Sequence, residues 1–540
     1  MFDAGNILLS IAVALLLTAM SYKLIHMFQL FGYRVKPLAK WTLDRRNKFY
    51  ARLWALAILS FGAMLVTIIL LRSFDLGPAW YVIGLFFFFG LGSLLCVIAV
   101  KGKARVSLKI TRRVQRLAVV IFIASFWVSL LVLWWGIQPH MAFFDLAIIS
   151  ILPITLPWIV ILSGIIILPI ELLFKWKYLR SAKKKLYSKE YENLIKIGIT
   201  GSFGKTSCKN MLRDMLSKKY NTVASPSSFN TPMGFTKTIN GLLKPEHEVL
   251  IMEMGARYKD DIRYLAKLVK PHHGILTSIG AAHLDTMKSL DGVKAIKSEL
   301  IKALHGDGIG IINADIERCV QVFEESPLQN KHLAGIENET ARFRATNLSM
   351  SEDGCTFDLI AGKEKISCTT RLLGKHNIQN IVVCAALSYE LGVTLAQIAE
   401  AVAELEPTPH RLELIKSPNG VTILDDSYNA TPTGIEAALD VLRMFKGTKV
   451  VQTPGLVEMG SRHAEENFKI GMKIAKVADK VIIVGDFNKQ SLTDGLIAGD
   501  FAKDNISHAK TLDEAKDLYA TLLKKGDVLL ISNDLPDNYV

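Results

Sequence analysis

Apolar and polar positions divide this chain into two stretches of different character. Up to Phe174 the apolar residues come in long, nearly unbroken runs, whereas beyond Tyr191 they come in short runs separated by amphipathic stretches. About 20 residues in a helix cross the hydrocarbon core of a bilayer. Four runs have that length: Ile7 to Phe31, Leu53 to Leu71, Ala79 to Val100 and Leu117 to Gly136. A fifth lies within Met141 to Phe174, is longer than needed, and contains Pro153, Pro157 and Pro169, so it reads as kinked or partly interfacial. Residues 1–180 are therefore predicted to be an all-α transmembrane module of about five helices.

From Tyr191 on, short β-rich runs such as Val249 to Met252, Gly274 to Thr277 and Ile309 to Ile312 alternate with helical stretches, for example Gly292 to Leu304. That order predicts an α/β fold with a parallel sheet covered by helices. The alternation pauses at the segment EPTPHRL around Pro407 to Arg411, a hinge candidate. A second series follows, with strands expected at Val421 to Asp425, Lys449 to Thr453, Lys480 to Val484 and Asp527 to Ile531. The expected organisation is a central domain over 191–409 and a smaller, Rossmann-like domain over 410–540.

Charge sharpens this division. Residues 1–190 hold 23 Lys and Arg against 6 Asp and Glu, while the remaining 350 hold 41 against 44. The basic balance belongs to the apolar part alone, which points to a membrane lipid surface and not to nucleic acid. Seven cations from Arg34 to Arg52 crowd the first loop and seven from Lys101 to Arg116 the third, while Arg72 to Pro78 and Ile137 to His140 are nearly uncharged. The positive-inside rule places the dense loops in the cytoplasm. Five crossings then put the N-terminus outside and everything after Lys175 on the cytoplasmic side of a cell membrane. The six cysteines show no paired spacing, which fits a reducing compartment and offers no zinc pattern.

The chemistry is concentrated in Leu194 to Ser207, LIKIGITGSFGKTS. A strand-like run breaks into Gly201 and Gly204, followed by Lys205, Thr206 and Ser207. Backbone N–H groups at a helix start, one lysine and one hydroxyl suit a nucleoside triphosphate and its Mg²⁺. The spacing departs from GxxxxGK[ST], because position 199 is Ile199. Glu253 ends a predicted strand, where ligands of open α/β sheets collect, and a carboxylate there could hold Mg²⁺ opposite Thr206. Read singly, each has a plainer reading that is the more usual one: a solvated or capping strand-end carboxylate for Glu253, a structural histidine for His283 and a solvated helix face for Lys297.

Nine segments together resemble the ATP-dependent Mur ligases from about Ile197 to Leu442, and within that family the D-alanyl-D-alanine-adding branch. They are TGSFGKTS (Thr200 to Ser207), FNTPMG (Phe229 to Gly234), EMGA (Glu253 to Ala256), AAHLDT (Ala281 to Thr286), KAIKSE (Lys294 to Glu299), NAD (Asn313 to Asp315), GKHNIQN (Gly374 to Asn380), HRLE (His410 to Glu413) and DDSYNATP (Asp425 to Pro432). The resemblance implies an ADP-forming carboxylate–amine ligase that joins an amino acid or dipeptide to a cell-wall precursor through an acyl phosphate. It assigns ATP to Thr200, Gly201, Ser202, Phe203, Gly204, Lys205, Thr206 and Ser207, with Asn313, His376, Asn377 and Asn380 near the adenine and Arg411 and Asp426 near the ribose and phosphates. Thr206, Glu253, His283 and a carbamylated Lys297 would hold Mg²⁺; Lys205, Lys297 and His283 are the implied catalytic set. Asn230, Thr231, Tyr428 and Asn429 would touch the acceptor and amine substrates.

Three departures bear on the substrates. No stretch between the last apolar run and Gly198 has room for the domain with which such ligases grip a uridine nucleotide. The stretch expected as LGDMLELG reads TPGLVEMG (Thr453 to Gly460), and the chain ends in SNDLPDNYV where relatives carry a KGSR-like segment. Many relatives also have Asn at the position of Phe203. The acceptor is thus expected to be either a soluble nucleotide-linked precursor or a polyprenyl-linked one. A membrane-associated ligase resembling poly-γ-glutamate synthases and a non-catalytic nucleotide-binding scaffold are the other readings.

Overall fold

A computed structural model describes residues 4–43, 108–135, 151–280, 284–304, 306–428, 431–457, 459 and 462–532, with isolated residues between 53 and 69 and at 148. The chain forms two compact units, Met1–Trp176 and Lys177–Val540.

In the first unit, α1 (Ala4–Met20) and α2 (Tyr22–Leu30) meet at a bend of 43°, followed by α3 (Val35–Leu43), α4 (Arg112–Trp135) and the start of α5 (Leu156–Leu186). Among the described residues, two helices are long and apolar enough to cross a membrane, or three if the bent pair is one span. The expected runs Leu53 to Leu71 and Ala79 to Val100 lie largely or wholly outside the described residues. Pro169 does not break α5, because a helix loses a single backbone bond there and the apolar turns on both sides continue. On α4, Val114, Leu117, Ile121 and Leu133 are buried, while Val119, Ile123, Trp127, Leu131 and Trp134 form an exposed apolar stripe at helical spacing. Glu171 is held by Arg116, whose Nε and Nη2 donate to its Oε1 at 2.9 and 2.6 Å, and by Arg113 at 3.4 Å. An acidic group in an apolar helix is thereby neutralised.

The second unit carries two sheets among its described residues. The first has the order β2-β3-β1-β4-β5-β6-β7-β8-β9, from β1 (Ile195–Thr200), β2 (Thr222–Ala224), β3 (Val249–Glu253), β4 (His273–Leu276), β5 (Gly310–Asn313), β6 (Lys331–Gly335), β7 (Phe343–Ser351), β8 (Gly354–Ala361) and β9 (Glu364–Thr370). Strands β1 to β6 pair in parallel, but β7, β8 and β9 form an antiparallel extension, so the sheet is mixed and not purely parallel as expected. The second sheet has the order β10-β11-β15-β12-β13-β14, from β10 (Glu413–Lys416), β11 (Thr422–Asp426), β12 (Lys449–Thr453), β13 (Lys480–Val484), β14 (Ile506–Ala509) and β15 (Val528–Ser532). It too has an antiparallel edge, β10 on β11.

Strands β1, β3, β4 and β5 are buried almost throughout, as parallel strands covered on both faces should be. One face packs α6 (Lys205–Leu216) and, further along the chain, a helix over Lys375–Glu390; the other packs Leu265, Leu268, Val293 and Leu300. The helix expected from Gly292 to Leu304 is two pieces, α7 (Leu290–Lys297) and a turn over Glu299–Lys302, parted at Ser298, whose hydroxyl donates to the Ala295 carbonyl at 3.0 Å. The end of α5 belongs to this unit's core: Ala182 and Leu186 lie with Tyr191, Leu194, Leu243 and Leu268, Lys185 Nζ donates to the Leu243 carbonyl, and Tyr187 Oη donates to that of Leu268.

Candidate active site

The loop from Thr200 to Lys205 leaves the buried end of β1 and turns into α6. Gly204 sits at the helix start with φ +80, and a Cβ there would lie 2.6 Å from Asn380 Oδ1. At Gly201 an added Cβ would lie 2.0 Å from Thr277 Oγ1, so the backbone packs directly on the end of β4. Ser202 N donates to the Ser278 carbonyl at 2.9 Å, Phe203 N donates to Ser278 Oγ at 2.8 Å, and the Thr277 and Ser278 hydroxyls both donate to the Phe203 carbonyl. The Phe203 ring lies against Gly280. Thr200 Oγ1 donates to the Met254 carbonyl at 3.0 Å and Ser207 occupies the first turn of α6.

Lys205 Nζ donates to the carbonyls of Gly201 and Ser202 at 2.8 and 3.1 Å, lying across its own loop. Desolvation lowers its ammonium, Glu253 opposes that, and Arg411 adds to it. Thr206 Oγ1 donates to Glu253 Oε2 at 2.9 Å and Asn230 Nδ2 donates to Glu253 Oε1 at 3.1 Å. Glu253 is 1% exposed at the end of β3. Lys297, at the end of α7, is 3% exposed, and burial pushes its ammonium well below the usual lysine range, aided by Lys205 and opposed by Asp261 and Glu253. Lys205, Glu253 and Lys297 therefore share one electrostatic neighbourhood. His283 and Asn429 lie outside the described residues.

The residues expected around the adenine fall into two groups. Both ends of the Asn313 amide are engaged by the fold: Nδ2 donates to the Thr277 carbonyl and Oδ1 accepts from Asp315 N. Asn377 Nδ2 likewise donates to the Leu373 carbonyl at 2.8 Å, so both amides are engaged by the fold itself. Asn380 Oδ1 borders Gly204 and accepts from Cys208 Sγ. His376 differs, because its Nδ1 is buried without a partner and desolvation, helped by Arg411, lowers the imidazole to about 4. An orphaned ring nitrogen invites a ligand donor.

Across the hinge, His410 and Leu412 adopt left-handed φ values of 62 and 50 on either side of Arg411. Leu412 N donates to Asp426 Oδ1 at 3.2 Å, His410 Nδ1 pairs with Asp425 Oδ2 at 2.8 Å, and the Arg411 guanidinium lies 4.3 Å from the centre of the Tyr428 ring. The charge of Arg411 reaches Lys205, His376 and Glu253, so the second domain contributes a cation to the first domain's loop. Desolvation lifts the Asp426 carboxyl to about 7 against the pull of Arg411. Thr231 caps the helix over Pro232–Gly241, accepting from Gly234 N.

Sequence reasoning missed Lys209 and Gln379. Lys209 is 1% exposed with its Nζ 3.7 Å from Glu253 Oε2. Its signal was a lysine flanked on α6 by Cys208 and Leu212, on the buried face. Gln379 Nε2 donates to Asp315 Oδ2, whose other oxygen accepts from Ile336 and Glu337 N, joining the His376 helix to the end of β5.

The arrangement suits a nucleotide and a hard cation: a glycine cradle with no room for Cβ atoms, two adjacent oxygen donors in Thr206 and Glu253, and an unpaired buried nitrogen in His376. The Mur ligase middle domain family matches residues 199–388, and the family described as Mur ligase, glutamate ligase domain matches residues 410–533. The UDP-N-acetylmuramoyl-tripeptide–D-alanyl-D-alanine ligase of Escherichia coli is 32% identical over 293 residues, 54% of this chain and 64% of that protein. The ligase of the same name from Bacillus subtilis is 30% identical over 349 residues, 62% of this chain and 72% of that protein. The match thus spans just under two thirds of the length of the Escherichia coli relative. Among solved structures, MurF ligase from Thermotoga maritima in complex with ADP shares the fold with a TM-score of 0.59 at 24% identity, covering 67% of this chain and 80% of that one. By these matches the chain belongs to the Mur ligase family.

Proposed function

We propose that this protein is an ATP-dependent, ADP-forming amide ligase that adds D-alanyl-D-alanine to a muropeptide. The observation that carries the reading is the Thr206 hydroxyl set 2.9 Å from Glu253 Oε2, beside the glycine cradle and within the field of the buried Lys297. The barrier to such a reaction is charge crowding between an attacking carboxylate and a triphosphate. Lys205 and Arg411 supply fixed cations against it, one from each domain. Thr206 and Glu253 would hold Mg²⁺, which neutralises phosphate charge when bound. The acceptor's carboxylate attacks the γ-phosphorus, ADP departs, the dipeptide's amine attacks the acyl phosphate carbonyl, and phosphate leaves with formation of the amide. Closure of the hinge would exclude water and so protect the acyl phosphate.

Burial lowers the Lys297 ammonium and so favours its neutral amine, the form that attacks CO₂ and loses a proton to give a carbamate anion. Its replacement by alanine should cut turnover by about a hundredfold or more, with partial recovery on adding small carboxylates. The test is phosphate release by the full chain with ATP, UDP-N-acetylmuramoyl-tripeptide and D-alanyl-D-alanine. Release that needs both substrates supports the reading. Release with glutamate alone points to a glutamate-adding ligase, and no acceptor-dependent release with any wall precursor points to a scaffold.

A second reading, a polyprenyl-linked acceptor used by a membrane-anchored enzyme with its ligase unit in the cytoplasm, is favoured by the exposed apolar stripe from Val119 to Trp134 on a helix of spanning length. Membrane retention after alkaline carbonate washing and preferential use of a detergent-solubilised lipid-linked muropeptide would support it; release into the wash or use of the soluble precursor alone would refute it.

A further inference from the structure

Lys209 has no part in the chemistry above, yet it is the most enclosed cation near it. Its side chain is 1% exposed, one helical turn beyond Lys205 on α6. Nζ donates to the carbonyl of Ser227 and lies 3.7 Å from Glu253 Oε2, the oxygen that also accepts from Thr206. The first contact lies in the segment that runs from β2 to the Pro232–Gly241 helix, the second at the end of β3. Ser227 holds a left-handed φ of 42, a conformation a serine adopts only when its surroundings impose it. Three residues further on, Asn230 donates to Glu253 Oε1, its carbonyl accepts from Gly255 N at 3.1 Å, and its side chain packs on Gly255. Lys209 and Asn230 therefore take opposite oxygens of one carboxylate, and Lys209 also fixes the backbone that presents Asn230.

Resting on the ligase reading, we propose that Lys209 is a positioning residue that serves as the standing counter-charge of Glu253 and ties the Ser225–Asn230 segment to the nucleotide-binding helix. The two roles respond to its removal in opposite directions. A unit positive charge so close to Glu253 Oε2 weakens that oxygen as a ligand for a divalent cation, so a neutral side chain strengthens cation binding there. Loss of the donor to Ser227, in contrast, releases a strained turn and frees the segment carrying Asn230. A residue that only fills space would shift both properties the same way.

The experiment uses the full chain in detergent and two measurements other than turnover. The first is the Mg²⁺ concentration that half-saturates binding of a fluorescent ADP analogue; the second is amide exchange over residues 225–231. Lys209→Met should lower the Mg²⁺ requirement about three- to tenfold, the size expected of removing one nearby charge in a partly screened site. It should raise exchange in the segment about tenfold or more. Lys209→Arg, which keeps the charge, should leave the Mg²⁺ requirement within about twofold of the parent. An unchanged or raised Mg²⁺ requirement in Lys209→Met, or an unchanged exchange rate, overturns the proposal. If the methionine variant loses its cooperative melt, Lys209→Gln decides by the same two readouts. Parent protein that binds the analogue with no Mg²⁺ dependence would refute the ligase reading itself, a result separate from any difference between the variants.

Discussion

Replacing His376 with glutamine should flatten the acid limb of the protein's stability curve. The imidazole titrates at about 4 in the folded protein against an ordinary 6.5, because desolvation and the charge of Arg411 both disfavour the protonated ring. A group whose folded value is depressed contributes stability that is fully present above the unfolded value and is lost as pH falls through the folded one. The window runs from about pH 6.5 down to about 4, where the unfolded chain binds a proton that the folded chain refuses. A gap of about 2.5 units corresponds to about 3 kcal/mol lost across that window, or about 1.4 kcal/mol per pH unit at its steepest. Glutamine is polar and similar in reach but does not titrate, so the slope difference between parent and variant isolates this ring. Urea unfolding of the Lys177–Val540 unit, followed by far-ultraviolet circular dichroism at pH 7.5, 6, 5 and 4.5, measures it. Parallel pH dependences in parent and variant would show that His376 is solvated in the folded protein, and the buried-nitrogen account of the pocket would fail with it.

Other perturbations follow from local geometry. Gly204→Ala forces an L-residue to φ +80 with its Cβ 2.6 Å from Asn380 Oδ1, so nucleotide-analogue binding measured by titration should weaken about tenfold or more, and unchanged affinity would contradict the cradle. Thr394 and Gln397 form a reciprocal capping box at the start of the helix over Leu395–Glu404, and Thr394→Ala should lower unfolding free energy by about 1 kcal/mol while leaving nucleotide binding unaltered.

The core strands of the second unit were legible because buried parallel strands read as short β-branched runs: Lys449–Thr453 and Lys480–Val484 were anticipated with their ends. The antiparallel arm β7–β9 was not, because its strands alternate buried and exposed positions and carry serines and threonines that read as loop. Ser298 hid the break after α7, since its hydroxyl bonds back within the helix and the apolar periodicity carries on across it. In the site, the glycine cradle announced itself by composition, whereas Lys209 was masked by the assumption that a lysine on a helix faces water. Burial of a cation opposite a carboxylate on a strand distant in sequence is a tertiary fact that spacing along one helix does not encode.

The last ten residues of α5 set the minimum size of a fragment that keeps the core of the second unit. Because Ala182, Leu186, Tyr191 and Leu194 sit in the same core as Leu243 and Leu268, trimming the chain to the start of the family match at residue 199 would strip the underside of the sheet of these four side chains as well as removing Ile195 to Gly198 from β1. Each large apolar one contributes about 1.5–3 kcal/mol when buried, a substantial fraction of what holds an ordinary domain together. A fragment meant to keep the fold of the second unit should therefore be cut at Lys177, where the segment ahead of β1 keeps both its apolar contacts and the lysine and tyrosine that latch it to Leu243 and Leu268.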